Sequence, residues 1–216
     1  MIYFTVDPQK AGPATLLVMD MDPNVWGHCL WDLLFFLALK EAADISSLKH
    51  VFELLDKLLP CQHCRREYIK YKSKLPLESV LRSTVPHPAA VWLWQIHDMV
   101  NQRLGKICIS YDSLLKRHAT ITLATHDFAV VDAMCIIGHA VKPTRSTEMA
   151  DFVAVVACLL GTAPPFKICS VLAHTPVRAE SLLHDLYLLH NAMRSEYGMQ
   201  QLEEVVFTEK YTRCQA

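Results

Sequence analysis

Two cysteines, Cys61 and Cys64, stand two residues apart directly after Pro60. Thiols at this spacing can close a small disulfide that exchanges readily with other thiols. Aromatic and polar side chains then recur at helical intervals further along the chain, at Trp92, His97, Asn101 and Lys106. A helix that presents such a stripe can hold a flat cofactor against the cysteine pair. The two patterns together indicate redox chemistry.

Zinc binding is one alternative for the cysteine pair. A structural zinc site needs four ligands and usually a second close pair. The next cysteine after Cys64 is Cys108, which has no neighbour at the required spacing. A zinc site would have to recruit His63, His87 or Cys29, so it is disfavoured, and we predict no metal site. A thioredoxin-like site would need a β-strand before the pair. Residues 54–59 are leucine-rich and helical in pattern instead.

A redox disulfide at the N-terminus of a helix is the third and favoured interpretation. The amide groups and the positive end of the helix dipole stabilise a thiolate, which is the species that reacts in exchange. Arg65 and Arg66 add to that positive field. A dithiol cannot reduce oxygen efficiently by itself, so an oxidase requires a cofactor that accepts two electrons and passes them on. A flavin does both.

Composition excludes several other classes of function. The chain has 216 residues, of which 52% are hydrophobic and 20% charged, with a formal net charge of -1. It can therefore build a packed core, and it lacks a cluster of basic residues that would attract nucleic acid. The longest apolar run, residues 152–160, is too short to cross a bilayer, and Asp7 and Pro8 interrupt any secretory signal. We expect no nucleic-acid partner, no membrane association and no secretion.

The apolar periodicity predicts an all-α protein. Four helices are predicted in the first half. The first covers residues 26–39, the second is capped at Ser46 and Ser47 and ended by Pro60, and the third and fourth cover residues 65–74 and 89–104. The apolar pattern of the second half predicts helices at residues 126–139, 147–160 and 178–197. Residues 188–198 align without a gap on residues 95–105, which suggests a degenerate internal repeat that lacks the cysteine pair. The predicted domains are residues 1–112 and 113–216, with the boundary near residues 113–125 and a polar tail over residues 209–216.

Three segments together resemble the Erv/ALR family of FAD-dependent sulfhydryl oxidases. Residues 26–31 are similar to the first-helix pattern of viral members, residues 59–64 to the active-site pair, and residues 92–106 to the tryptophan, histidine, asparagine and lysine series. The resemblance implies a small helical bundle with FAD beside the pair, with Cys64 next to the flavin and Cys61 exchanging with substrate. It implies cofactor-binding residues on the first and fourth helices: Gly27, His28, Trp31, Phe35, Trp92, His97, Asp98, Val100, Asn101, Leu104 and Lys106.

The chain also departs from the family pattern. Phe35 and Asp98 stand where members usually have histidine and asparagine, and Cys108 lacks the partner of a structural disulfide. Cys214, the one cysteine in the predicted tail, has no close neighbour, so we predict that it is dispensable and that substrate thiols exchange directly with Cys61.

The function that the resemblance implies is thiol oxidation: disulfides form in reduced protein substrates while molecular oxygen becomes hydrogen peroxide. The second copy would take the place of the partner subunit found in family dimers, and further homodimerisation stays open. The resemblance to viral members implies a large DNA virus, with the protein in the host cytoplasm or nucleus, or in the virion. Two alternatives remain: a redox-inactive helical assembly module and a zinc-binding interaction protein.

Overall fold

The computed structural model describes residues 23–40, 44–82, 84–120, 123–141, 143–160 and 167–212. Within these ranges every regular element is a helix and no strand occurs, which confirms the all-α prediction. The first half contains α1 (Pro23–Leu39), α2 (Ile45–Leu58), α3 (Gln62–Lys74), α4 (Leu77–Leu81), α5 (Pro88–Arg103) and α6 (Tyr111–Thr120). The second half contains α7 (Leu123–Ala140), α8 (Ser146–Leu160), α9 (Lys167–His174), α10 (Leu182–Glu196) and α11 (Glu204–Thr212).

The start of α2 differs from the sequence prediction. Asp44 is the N-cap, and its carboxylate accepts hydrogen bonds from the backbone amides of Ser46 at 3.3 Å and Ser47 at 2.9 Å. The prediction that these two serines cap the helix was therefore wrong, because a carboxylate can accept from both amides at once and also favours the positive helix end. The buried face of α2 is the predicted apolar stripe, which includes Leu48, Phe52 and Leu55.

Four helices were not predicted: α4, α6, α9 and α11. Helix α6 runs through the segment assigned to the domain boundary, and its Leu114 is buried. Helix α11 begins before the segment interpreted as a polar tail, and its Phe207 and Tyr211 are both buried. A tail beginning at residue 209 is therefore wrong, because two aromatic side chains four residues apart anchor the helix to the core. Cys214 lies outside the described residues.

Among the described residues, the five helices of the second half repeat part of the packing of the six helices in the first. Helix α1 packs against α5 and α6, and α7 packs likewise against α10 and α11. Helices α5 and α10 end in the same way, at Gly105 with φ of 64° and Gly198 with φ of 67°. The amide after each glycine returns to the helix: Lys106 N donates to Asn101 O at 2.9 Å, and Met199 N to Arg194 O at 2.8 Å. These ends are the ones that the gap-free alignment superimposes.

The two halves meet where α1 packs on α7 and α2 packs on α8. One hydrophobic core continues through both halves. Side chains from each half also bind helix ends of the other: Lys40 Nζ donates to Leu159 O at 2.6 Å, and Arg145 donates to the carbonyl of Lys57. These contacts fix the position of the second half beside the cysteine pair.

Candidate active site

The cysteine pair lies where α2 gives way to α3. Helix α2 ends at Leu58, and Cys61 is the N-cap of α3. The structure joins Cys61 and Cys64 by a disulfide, and the Cys64 amide donates to Cys61 Sγ at 3.1 Å. The element before the pair is a helix, which excludes the thioredoxin-like interpretation. The positive end of α3 therefore faces the sulfurs, as predicted for a redox disulfide.

Beside the pair, α1, α3, α5 and α6 enclose a cleft of about 290 Å³. Cys64 lines it, whereas Cys61 does not and is only 6% exposed. Most of the sequence-predicted cofactor residues line this cleft: Gly27, His28, Trp31, Phe35, His97, Val100, Asn101, Leu104 and Lys106. The tertiary structure thus brings residues of the first and fourth helices to one face of the disulfide.

Flat side chains form one part of the cleft. The rings of Trp31 and His97 meet edge to face with centroids 4.6 Å apart, and Phe35 lies 5.9 Å from His97. Burial lowers the pKa of His97 below its ordinary value, against the opposing effect of Asp98. The imidazole is therefore neutral near pH 7 and offers one hydrogen-bond donor and one acceptor.

Another part of the cleft is polar and cationic. Asn101 is 8% exposed, and Lys106 Nζ donates to Asn24 Oδ1 at 3.0 Å. Arg103 and Arg117 add two guanidinium groups to the lining, and Arg117 lies 3.5 Å from Asp32. This combination of cations and a buried amide is suited to binding phosphate and ribose oxygens.

Several residues that line the cleft lie on α6, a helix that was not predicted from the sequence. Arg117 and His118 both come from this helix, and His118 packs against Phe35 with ring centroids 5.4 Å apart. Their signal was available in the amphipathic pattern of residues 111–120, which bury Leu114. Glu67 and Tyr71 on α3 also line the cleft and were not predicted.

Two predicted cofactor residues do not reach the cleft. Trp92 is fully buried, its ring lies 5.0 Å from that of Phe52, and its indole N–H donates to Leu75 O at 2.8 Å. It packs the core between α2 and α5 instead of lining a site. Asp98 points away from the cleft lining, and its Oδ2 accepts a hydrogen bond from Gln102 at 2.8 Å.

The end of α5 is also tied to the cysteine motif. His63, between the two cysteines, lies with its Nε2 3.0 Å from Arg103 Nη1. Arg103 lines the cleft as well, so one guanidinium links the cleft to the first turn of α3, which carries Cys64. A cation in this position favours a thiolate at the pair.

One histidine of the second half is enclosed by aromatic side chains. His190, which aligns with His97, is 1% exposed and lies 5.3 Å from Phe207 and 6.0 Å from Tyr211, measured between ring centroids. Burial, aided by the Lys210 ammonium, lowers the pKa of His190 to about 4. Aromatic rings of α11 therefore cover the imidazole of His190, whereas His97 lines an open cleft.

Comparison with known proteins bears on the first half alone. No curated protein and no solved structure matches the chain. Among the described residues, no helix is long and apolar enough to span a membrane, and no three His, Cys, Asp or Glu side chains are grouped to hold a metal ion. Residues 28–119, which run from the cleft face of α1 almost to the end of α6, match the Erv1 / Alr family. The match covers less than half of the 216 residues, so it shows that this part of the chain is similar to the Erv1 / Alr family.

Proposed function

We propose that the protein is an FAD-dependent thiol oxidase that forms disulfides in reduced protein substrates and reduces oxygen to hydrogen peroxide. The observation that carries this proposal is the shared cleft: Cys64, one sulfur of the disulfide, lines the same cavity as Trp31 and His97. The similarity of residues 28–119 to the Erv1 / Alr family, whose members are generally sulfhydryl oxidases, supports the oxidase class. The pairing of a disulfide with a pocket for a flat ring supports the flavin.

The residues of the cleft fit FAD in shape and in charge. Trp31 and His97 offer flat surfaces near Cys64, where an isoalloxazine ring would lie within reach of the sulfur. Gly27 keeps this space open, since a Cβ on it would meet no atom within 4 Å. Lys106 and Arg117 would hold the phosphates, and the buried Asn101 would bind a polar edge of the cofactor.

The chain's own groups perform the exchange. A substrate thiolate attacks Cys61 Sγ, the bond between Cys61 and Cys64 breaks, and its electron pair stays on Cys64 Sγ. A second substrate thiolate then attacks the mixed disulfide, which releases the oxidised substrate and leaves both cysteines reduced. The N-terminus of α3 and Arg103 stabilise the thiolate of Cys64 during this step. When bound, FAD accepts two electrons from the dithiol and transfers them to oxygen.

We further propose that the second half is a degenerate copy of the first. Three observations support it: the packing of the first helix of each half on two later helices of that half, the matching glycine ends of α5 and α10, and the packing of α1 on α7 and of α2 on α8. In this arrangement α7 and α8 cover in cis the faces through which a second subunit would bind. The break between copies is best placed after α6, at residue 120, because the helix crosses the boundary first predicted at 112 and 113.

The test is a spectrum and an oxygen measurement on the purified full chain. We expect a yellow protein with a flavin spectrum that consumes oxygen when dithiothreitol is added. The Cys61→Ser/Cys64→Ser variant should bind flavin and consume no oxygen, while Cys108→Ser, which changes an exposed free thiol, should behave as wild type. A yellow wild type without oxygen uptake would favour the assembly module, and a colourless protein with stoichiometric zinc would favour the zinc-binding alternative.

A further inference from the structure

A second, smaller groove of about 110 Å³ lies against the cysteine motif and is separate from the cofactor cleft. Pro60 and Gln62, the two neighbours of Cys61, form part of one wall. The opposite wall belongs to the second half and includes Val141 and Arg145. The groove therefore lies between the two halves, on the flank of the cysteine that is assigned to exchange with substrate.

The lining of this groove is cationic. Lys57, Arg65 and Arg145 all contribute to it, and no acidic side chain of the described residues does. Lys57 Nζ lies 3.0 Å from Oε1 of Glu148, a residue outside the lining, and the Glu148 carboxylate also interacts with Arg145. Arg145 donates a hydrogen bond to the carbonyl of Lys57, a neutral acceptor, which holds its guanidinium at the wall of the groove.

We propose that this groove binds the polypeptide segment that flanks the reacting cysteine of the substrate, and that it selects segments carrying Asp or Glu beside that cysteine. This inference rests on the proposed oxidase function and deepens it by naming the substrate class. Complementary charge is the reason: carboxylates next to the substrate thiol would meet Lys57, Arg65 and Arg145 on docking. The second half thus contributes Arg145 to substrate recognition.

The groove would bring a substrate to the flank of a nearly covered sulfur, since its lining includes both neighbours of Cys61 but not Cys61 itself. Cys61 is 6% exposed, so a substrate thiolate must be guided to it along a defined path. The attacking group is itself an anion, and the same cations favour it over the neutral thiol. Attack joins the substrate sulfur to Cys61 Sγ and leaves the electron pair of the broken bond on Cys64, so no further reactant is needed for docking and exchange.

The experiment compares three peptides that differ only in charge. Each has two cysteines separated by two glycines, flanked on both sides by Asp, Asn or Lys, and oxidation by the flavin-loaded full chain is followed as oxygen uptake. We expect kcat/KM for the Asp peptide to exceed that for the Lys peptide about fivefold at low salt and to approach it at high salt, because exposed charges contribute modestly and are screened.

Two variants locate the preference. Arg145→Gln and Lys57→Gln should each reduce the ratio of Asp to Lys peptide about twofold through KM, with dithiothreitol turnover unchanged. Lys74→Gln, an exposed cation at the end of α3 outside the groove, is the matched control and should keep the full ratio. If the loss of the helix-end hydrogen bond unfolds Arg145→Gln, Lys57→Gln decides alone.

Equal kcat/KM for the three peptides, or a preference that both groove variants retain, would overturn the docking proposal while dithiothreitol turnover shows that the oxidase is intact. A wild-type chain that binds no flavin and oxidises neither peptide nor dithiothreitol would overturn the proposed function and the docking proposal with it.

Discussion

The substitution Gly27→Ala separates the role of the cleft from the stability of the fold. Gly27 lies within α1 and lines the cleft, and a Cβ placed on it meets nothing within 4 Å. The methyl group would therefore occupy open space that we assign to FAD. An alanine inside a helix is favoured over glycine by about 0.5–1 kcal/mol, because glycine loses more conformational freedom on folding. The flavin-free variant should thus be more stable than wild type by about that amount.

Cofactor binding should change in the opposite direction. An added methyl in a well-packed site costs about 1–3 kcal/mol, which corresponds to an FAD affinity about 5- to 150-fold weaker. Urea unfolding of the flavin-free protein measures the first effect, and quenching of flavin fluorescence during titration measures the second. Opposite signs for stability and affinity are what a merely structural glycine would not produce.

Gly138→Ala is the matched control. A Cβ on Gly138 would lie 2.2 Å from Cδ1 of Leu186, which is fully buried and cannot move aside freely. Overpacking of about 1–3 kcal/mol should exceed the gain in helix propensity and lower the free energy of unfolding, with FAD affinity unchanged in the folded fraction. If Gly27→Ala binds FAD as tightly as wild type, the assignment of Gly27 to the cofactor site is refuted, since the added methyl group would then lie outside that site.

Three further outcomes are expected. Cys64→Ser should abolish oxygen uptake with dithiothreitol at unchanged flavin content; residual turnover above a few per cent would contradict its assigned role. Trp92→Phe replaces the buried indole with a smaller ring and removes its hydrogen bond to Leu75 O, so the free energy of unfolding should fall by about 2 kcal/mol. FAD affinity in titration should stay the same, and weaker binding would indicate that Trp92 contacts the cofactor. His190 is buried with its pKa lowered to about 4, so between pH 6.5 and 4 the unfolded chain binds more protons than the folded one, and stability falls as the pH drops. Between pH 7 and pH 5, His190 should lower the free energy of unfolding by about 2 kcal/mol. In urea unfolding, the stability of His190→Asn should therefore fall by about 2 kcal/mol less than that of wild type over this range. An equal fall in both proteins would show that His190 is not buried in its neutral form.

Local patterns in the sequence were sufficient for the elements that bear the chemistry. The apolar stripe of α2, Pro60 and the cysteine spacing predicted a disulfide at a helix N-terminus, and the structure has it there. The sequence also predicted that His97 and Asn101 share one face of α5, because residues three to four apart lie on the same side of any helix. Both side chains line the cleft.

The residues that the pattern could not assign depend on contacts between elements. Trp92 shares the helix of His97, and only packing decides that it turns toward Phe52 and the core while His97 faces the cleft. Helix α11 has little amphipathic signal in its sequence, yet the second half buries its Phe207 and Tyr211. Short helices of this kind gain their stability from tertiary packing rather than from intrinsic propensity.

The sequence by itself determined the all-α class, the helix that opens at Cys61 and the helical faces of α1 and α5 that could meet a cofactor. Tertiary structure alone decided that α6 completes the cleft with Arg117, that α7 and α8 pack on α1 and α2, and that Arg145 of the second half lines a groove together with Pro60 and Gln62. The physical reason is the range of the interactions. Helix propensity and periodicity act over a few neighbouring residues, whereas a cleft or a groove is made by side chains far apart in the chain whose positions only the packed core defines.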